Sequence, residues 1–148
     1  MSRQEAKLGL AGQNLAANRL RALGVLQVEP IGTPFTIVRT MKLRGQLWYS
    51  GFFGEKVSGD LHGHLPNGIC ILAEVKTIYD RNLRWSDLRP HQPERLDMHA
   101  ENAISLLVWV HHTNVYVMNW FTLRATDTFG PGLGITPEQA QRLNIERL

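Results

Sequence analysis

The sequence has a single cysteine, Cys70, among its 148 residues. One cysteine excludes a disulfide framework and a zinc site built on cysteines, and its place inside an apolar run indicates a buried thiol. No apolar stretch reaches the roughly 20 residues that a membrane-spanning helix needs. The opening stretch MSRQEAKLGLAGQN lacks the apolar segment of a signal peptide. We therefore expect a soluble, cytoplasmic protein with no membrane partner.

Charge of either sign is modest: 16 Lys and Arg stand against 13 Asp and Glu, a formal net charge of +3. A small basic excess permits a polyanionic partner such as nucleic acid but does not require one. The apolar fraction of 43% and the charged fraction of 20% are those of an ordinary globular protein. The length suits one domain with its own core.

The hydrophobic pattern predicts helices at both ends of the chain. Residues 2–24 read as a helix with a stop at Gly24, because apolar residues recur at helical spacing: Leu8, Ala11, Leu15, Leu20 and Leu23. A second helix is predicted at 94–102, after a polar loop. ThrProGluGln at 136–139 has the residues of a capped helix start, so a short C-terminal helix is expected.

Between these helices the pattern predicts strands. The strongest is 69–77, whose near-continuous apolar run is typical of a strand buried on both faces in the middle of a sheet. The other predicted strands lie at 35–40, 47–53, 104–111 and 115–121. This order of elements predicts an α/β sheet wrapped by helices.

The strand at 69–77 ends in Glu74-Val75-Lys76. Because side chains alternate along a strand, Glu74 and Lys76 are predicted on one face, about 7 Å apart. Asp60 lies 14 residues before Glu74, in the glycine-bounded turn 59–63. If 57–62 and 69–76 are adjacent strands, the two carboxylates meet. They then repel unless a cation lies between them, and Mg²⁺ takes oxygen ligands readily.

Asp60 and the Glu74–Lys76 pair each also have a purely structural explanation. An aspartate in a glycine-rich turn often caps that turn. A Glu-x-Lys pair at a strand end is elsewhere a solvated pair worth under about 1 kcal/mol. Their combination at the end of a buried strand favours a site in which Lys76 holds an anionic substrate or helps to activate a metal-bound water.

The order of these motifs resembles the PD-(D/E)xK nucleases and, within them, the RecU-type Holliday junction resolvases, with the Hjc-type resolvases as nearest relatives. GTPFTIV at 32–38 is similar to the family's Pro-Thr-Pro-Ile-Gln-Ile-Val segment, and SGDLHG at 58–63 to its Thr-Thr-Asp-Tyr-Asn-Gly turn. ILAEVKT at 71–77 resembles its Phe-Glu-Ala-Lys-Glu-Thr strand, and HisGln at 91–92 its His-Gln helix start. The resemblance extends from about residue 12 to about residue 121.

The resemblance implies a single nuclease domain, 1–148, with a restriction-endonuclease-like mixed β-sheet flanked by helices. Asp60, Glu74 and the carbonyl of Val75 would bind Mg²⁺, or Mn²⁺ as a substitute. Lys76 would orient or activate the attacking water. Gln92 would hold the metal-bound water or the geometry of the site, and its alternative is a helix-terminus hydrogen bond.

One expected residue is missing. The family has a glutamate on its first helix, four residues after a glycine. If that glycine is Gly12, the position is taken by Ala16, and Glu5 lies two turns earlier on the same predicted helix. A carboxylate from the first helix is therefore in doubt.

The resemblance also implies branched DNA as the partner, cut symmetrically at a four-way junction by a homodimer. The dimer interface is expected on the apolar strands 106–110 and 115–120 or on the first helix. In the family a protrusion between two strands enters the junction, and the short segment here predicts a reduced one. Basic residues expected to contact DNA are Arg3, Lys7, Arg19, Arg21, Arg39, Lys42, Arg44, Arg81, Arg84 and Arg89.

Three alternatives stay open at this point. A nuclease of the same fold could act on flaps or duplex DNA, and a non-catalytic junction-binding module could keep the fold. Trp85 either stacks on a base or anchors its loop on the core. The compact size also suits a phage-encoded protein that acts in the host cytoplasm.

Overall fold

The structure, a computed structural model, describes residues 2–31, 35–53 and 60–148. Within these residues the helices are α1 (Arg3–Ala22), α2 (His91–Ala100), α3 (Trp120–Ala125) and α4 (Pro137–Leu143), and a 3-10 turn spans Trp85–Asp87. The strands are β1 (Leu26–Pro30), β2 (Phe35–Leu43), β3 (Gln46–Phe53), β4 (Leu61–His64), β5 (Cys70–Thr77), β6 (Leu83–Arg84), β7 (Ile104–His111), β8 (Asn114–Asn119) and β9 (Gly134–Ile135).

Five strands form one mixed sheet in the order β1-β4-β5-β7-β8. β5 is the central strand, antiparallel to β4 and parallel to β7, with Glu74 opposite Leu107. Helix α1 covers one face of this sheet and helices α2, α3 and α4 cover the other. The predictions of an α/β fold and of a central strand buried on both faces are confirmed.

Helix α1 begins with a capping box between Ser2 and Glu5 and stops before Gly24, which has a φ of 93°. Its apolar residues are not all core residues, because Leu8 and Leu15 are each 40% exposed. The face that packs on the sheet is made instead of mostly small residues: Gly12, Ala16, Ala17 and Leu20. Small residues let the helix lie close to the strands.

Some boundaries differ from the predictions. Helix α2 begins at His91, three residues before the predicted start, so Gln92 lies in its first turn. Strand β8 ends at Asn119, whose side chain accepts a hydrogen bond from the N–H of Thr122 and caps α3. The predicted capping box at Thr136 and Gln139 is confirmed. Cys70 is exposed, not buried, because it is the first residue of β5.

Strands β2 and β3 form a separate two-stranded antiparallel sheet. They are joined by Arg44 and Gly45, whose positive φ values of 50° and 77° suit a two-residue hairpin turn. The nine residues of β2 extend about 30 Å. The two segments predicted as strands are thus the arms of one long hairpin, and the expectation of a protrusion smaller than the family's stays a prediction.

Parts of two predicted motifs lie outside the described residues: 32–34 of the first segment, and 54–59 of the glycine-rich turn before Asp60. In the described part of the chain, no helix has the length and apolar character to cross a membrane.

Candidate active site

Asp60 is held beside the central strand by its main chain and its side chain. Its N–H donates to the carbonyl of Ala73 at 2.9 Å, and its Oδ2 accepts from the N–H of Val75 at 2.8 Å. Strand β4 begins at the next residue and pairs with β5, so the strand adjacency that the prediction needs is present. The Asp60 carboxylate therefore lies at the end of β5, where β4 no longer covers it.

The main-chain groups of Val75 point towards Asp60. The N–H and C=O of one strand residue point towards the same neighbouring strand. Since the Val75 N–H meets Asp60, the Val75 carbonyl also points to the side of Asp60. A carboxylate and a main-chain carbonyl are hard oxygen donors of the kind that Mg²⁺ binds.

Glu74 and Lys76 lie on the face of β5 that helix α2 covers, and helix α1 covers the other face. Both side chains contact α2. The Lys76 Nζ is 3.4 Å from Glu74 Oε1 and donates to Gln92 Oε1 at 3.0 Å. The Gln92 Nε2 donates to Glu74 Oε1, which closes a triangle of three side chains. The predicted common face of Glu74 and Lys76 is thus present.

This triangle explains how Glu74 can be only 1% exposed. A buried carboxylate is costly unless it is hydrogen-bonded and paired with a cation. Gln92 and Lys76 supply those contacts, and Gln92 Oε1 also accepts from the N–H of Arg89 at 2.8 Å. Gln92 therefore joins the start of α2 to both charged residues.

A cavity of about 340 Å³ opens between the N-terminal half of α1 and the end of β5. Its lining residues are Glu5, Leu8, Gly9, Gln13, Asp60, Val75, Lys76 and Thr77. The structure thus brings Asp60, Val75 and Lys76 to one cavity. Glu74 and Gln92 are not among its lining residues and meet Lys76 from the side of α2.

The residues of helix α1 that line this cavity are not the expected pair of Gly12 and Ala16. Ala16 is fully buried in the core, so the position four residues after Gly12 does not face the site. Gly9 and Gln13 have the same spacing and line the cavity, and Gln13 donates to the Asp60 carbonyl at 3.0 Å. Gln13 is the residue that the sequence reasoning missed. The sequence does carry a signal for Gln13, because it lies four residues after Gly9, the spacing that the family has between its glycine and its glutamate.

Glu5 also lines the cavity, and it is the carboxylate that α1 contributes there. Its Oε2 accepts a hydrogen bond from the N–H of Ser2 at 2.6 Å. Hydrogen bonds from the main chain and side chain of Ser2 lower the pKa of Glu5. Glu5 therefore caps the helix and stays ionised at neutral pH.

The chemistry of the donor atoms suits a divalent cation such as Mg²⁺, which takes oxygen ligands. Asp60 and Glu74 offer carboxylates, and Val75 offers a carbonyl. Across residues 2–31, 35–53 and 60–148, no group of three or more His, Cys, Asp or Glu side chains is placed to hold a metal ion. A cation bound by Asp60 and Glu74 would have two such side chains as ligands, and the rest of its coordination would come from the main chain and water.

An ion pair between Arg81 and Asp87 holds the loop before α2 together. Arg81 contacts both carboxylate oxygens of Asp87, at 2.8 and 2.6 Å, and Asp87 also accepts from the N–H of Arg84 at 2.7 Å. Burial by itself would raise the pKa of Asp87, but these hydrogen bonds outweigh it and lower the pKa. Arg81 is therefore engaged within the loop, whereas Arg84 and Arg89 are exposed.

Trp85 anchors this loop on the core. Its ring stacks on Trp120 with centroids 5.9 Å apart and meets Phe129 edge-on. The Arg124 guanidinium lies 4.8 Å from the ring centroid. These contacts agree with the anchoring alternative for Trp85.

The remaining basic residues expected at DNA lie on two elements. Arg39, Lys42 and Arg44 are exposed on the β2–β3 hairpin. On α1, Arg3 and Lys7 are exposed at the N-terminal end, and Arg19 is half-buried. Arg21 uses its guanidinium on Asn18 and the carbonyl of Val28.

The expected dimer interface on the apolar strands is not supported. In β7, Leu106 to Val110 are fully buried within the chain, and β7 lies between two other strands. Tyr116, Val117 and Met118 of β8 are buried as well. Helix α1, the other suggested interface, does expose apolar side chains, with Leu10 at 59%.

No protein-family model and no curated protein matches this chain. Among solved structures, the crystal structure of SSO0001 is similar, with a TM-score of 0.37 and 13% sequence identity. The match covers 93% of this chain and 61% of that chain, so this chain spans less than two thirds of that protein's length. The α/β class stated above comes from this chain's own strand order.

Proposed function

We propose that this chain is a metal-dependent endodeoxyribonuclease with a restriction-endonuclease-like core, which cuts four-way DNA junctions as RecU- and Hjc-type resolvases do. One observation carries the proposal: Asp60 and Lys76 line one cavity at the end of the central strand, and the Lys76 Nζ contacts Glu74 and Gln92 on the side of α2. A strand that only fills a core gains nothing from a nearly fully buried carboxylate with its own lysine and glutamine.

The site can divide the work of phosphodiester hydrolysis among its residues. Mg²⁺, when bound by Asp60, Glu74 and the Val75 carbonyl, would supply Lewis acidity and a more acidic water. The Lys76 Nζ is oriented by Gln92 Oε1, so its remaining N–H groups can donate to the attacking water or to a phosphate oxygen. Its positive charge offsets the charge that builds up on the phosphate. Helix α1 forms one wall of the cavity.

The β2–β3 hairpin supports DNA, rather than a small phosphodiester, as the substrate. It exposes Arg39, Lys42 and Arg44 together with Trp48, which is 55% exposed. A two-stranded ribbon fits a DNA groove, and basic side chains supply most of the affinity. Only residues 32–34 separate β2 from Ile31, whose N–H donates to the Asp60 carbonyl. The hairpin therefore starts within about 15 Å of Ile31, the residue bonded to Asp60.

Cleavage of a labelled four-way junction, with linear duplex and a flap alongside, tests the proposal. Wild type and Asp60→Asn are compared in Mg²⁺, Mn²⁺ and EDTA, and junction binding is measured in Ca²⁺. Asp127→Asn is the matched control, because it makes the same change at an exposed aspartate. Paired symmetric nicks that need metal, persist in the control and vanish in Asp60→Asn are expected.

Other outcomes point elsewhere. Equal cutting of duplex, flap and junction would keep the nuclease and remove junction selectivity. Tight junction binding without any cutting in Mg²⁺ or Mn²⁺ would identify a non-catalytic binding module. Cutting that persists in Asp60→Asn would remove Asp60 from the site.

A further inference from the structure

The main-chain carbonyl of Asp60 accepts hydrogen bonds from two distant parts of the chain. It accepts one hydrogen bond from Gln13 Nε2 at 3.0 Å and a second from the N–H of Ile31 at 3.1 Å. The N–H and the carboxylate of Asp60 bond instead to β5, at Ala73 and Val75. The candidate metal ligand is thus fixed from α1, from the end of β1 and from β5 together.

Gln13 is brought to this carbonyl by an unusually close helix–strand contact. At the preceding residue, Gly12, a Cβ atom would lie 1.9 Å from Thr77 Oγ1. With the Thr77 side chain in this rotamer only glycine fits, so α1 lies directly on the last residue of β5. The next side chain, Gln13, is half-buried and reaches Asp60 across the cavity.

The amide chemistry of Gln13 matters at this position. The bond to the Asp60 carbonyl needs a donor, which an amide has and an ionised carboxylate lacks. A glutamate here would set a negative charge against the Asp60 carbonyl oxygen. A glutamate, which the resolvase family has on its first helix, could therefore not replace Gln13 in this hydrogen bond.

We propose that Gln13 is a positioning residue that holds the Asp60 turn against β5, so that the Asp60 carboxylate keeps its bond to the Val75 N–H. The catalytic consequence rests on the proposed nuclease function. The positioning itself does not, because it concerns only hydrogen bonds within the chain.

Amide hydrogen exchange, measured by NMR on the full chain, tests the positioning directly. In Gln13→Ala the Val75 amide should exchange about fivefold faster or more, the effect of losing about one hydrogen bond. The amides of β7 report global stability and should change less. Asn14→Ala, an exposed neighbour on the same helix, is the control and should leave Val75 unchanged. Equal changes at Val75 and in β7, or no change at Val75, would overturn the proposal.

Kinetics on the junction substrate give the second readout. Gln13→Ala and Gln13→Glu should each lower kcat about tenfold with little change in KM for DNA, since a small misplacement of a ligand affects chemistry more than binding. Cleavage by Gln13→Glu at or above the wild-type rate would show that a carboxylate serves as well, and would overturn the positioning role. If wild type cuts nothing, the proposed function fails, and the exchange of the Val75 amide still decides the positioning.

Discussion

Replacing Gly12 with alanine should destabilise the protein, although alanine is the better helix former. The new methyl group would lie 1.9 Å from Thr77 Oγ1, 3.0 Å from its Cβ and 3.1 Å from its Cγ2. Ordinary contact between such atoms is about 3.5 Å. Rotation of the Thr77 side chain can relieve the first overlap but not the contact with Cβ, so α1 and β5 must separate by a few tenths of an ångström.

Gly9→Ala is the matched control for this change. Gly9 lies one turn earlier on the same helix, and a Cβ added there meets nothing within 4 Å. Both substitutions gain about 1 kcal/mol of helix propensity, so this gain cancels in their comparison. The difference that remains is the overpacking at Thr77, about 1–3 kcal/mol.

Urea and thermal unfolding of both variants would measure that difference. Gly12→Ala should melt roughly 3–10 °C below Gly9→Ala, and Gly9→Ala should melt at or above the wild type. The Val75 amide should also lose protection in Gly12→Ala, because the helix that carries Gln13 has shifted. If Gly12→Ala proves as stable as Gly9→Ala, the close approach of α1 to β5 is wrong, and with it the explanation of how Gln13 reaches Asp60.

Three further predictions concern the polar network and the basic surface. Gln92→Ala removes a donor to Glu74 and an acceptor for the Lys76 Nζ, so cleavage should fall while junction binding persists; an unchanged rate would remove Gln92 from the site. Lys42→Ala on the hairpin should weaken junction binding and reduce the slope of log affinity against log salt by about 1, whereas Arg142→Ala on α4 should leave that slope unchanged. Arg81→Ala should raise the pKa of Asp87 towards its ordinary value. A lowered carboxyl pKa stabilises the folded protein above the ordinary pKa, and this stabilisation is lost as the pH falls through the lowered pKa. The variant should therefore be less stable than the wild type at neutral pH and equally stable in strong acid. Urea unfolding at several pH values checks this last prediction, and a loss that persists in acid would contradict it.

Features set by short stretches of sequence were predicted well. The capping box at Thr136 depends on residues within one helical turn, and the extent of β7 depends on one continuous apolar run. The alternation of a strand is equally local, so Glu74 and Lys76 were placed on one face correctly. Neighbouring residues decide such features, because the hydrogen bonds and side-chain directions involved span only a few positions.

Only the tertiary structure decided which part of α1 meets the site. The helical pattern indicates that the helix has an apolar face, but it does not say how far along β5 the helix packs. The close contact of Gly12 with Thr77 sets that position, which places Gln13 at Asp60 and buries Ala16 in the core. Likewise, the sequence predicted both arms of the hairpin as strands, and their separation from the main sheet appears only in the strand pairing. The sequence alone thus determined elements with a strong local pattern, such as α1, β5 and β7, and the common face of Glu74 and Lys76, while packing between distant segments decided which side chains surround Asp60.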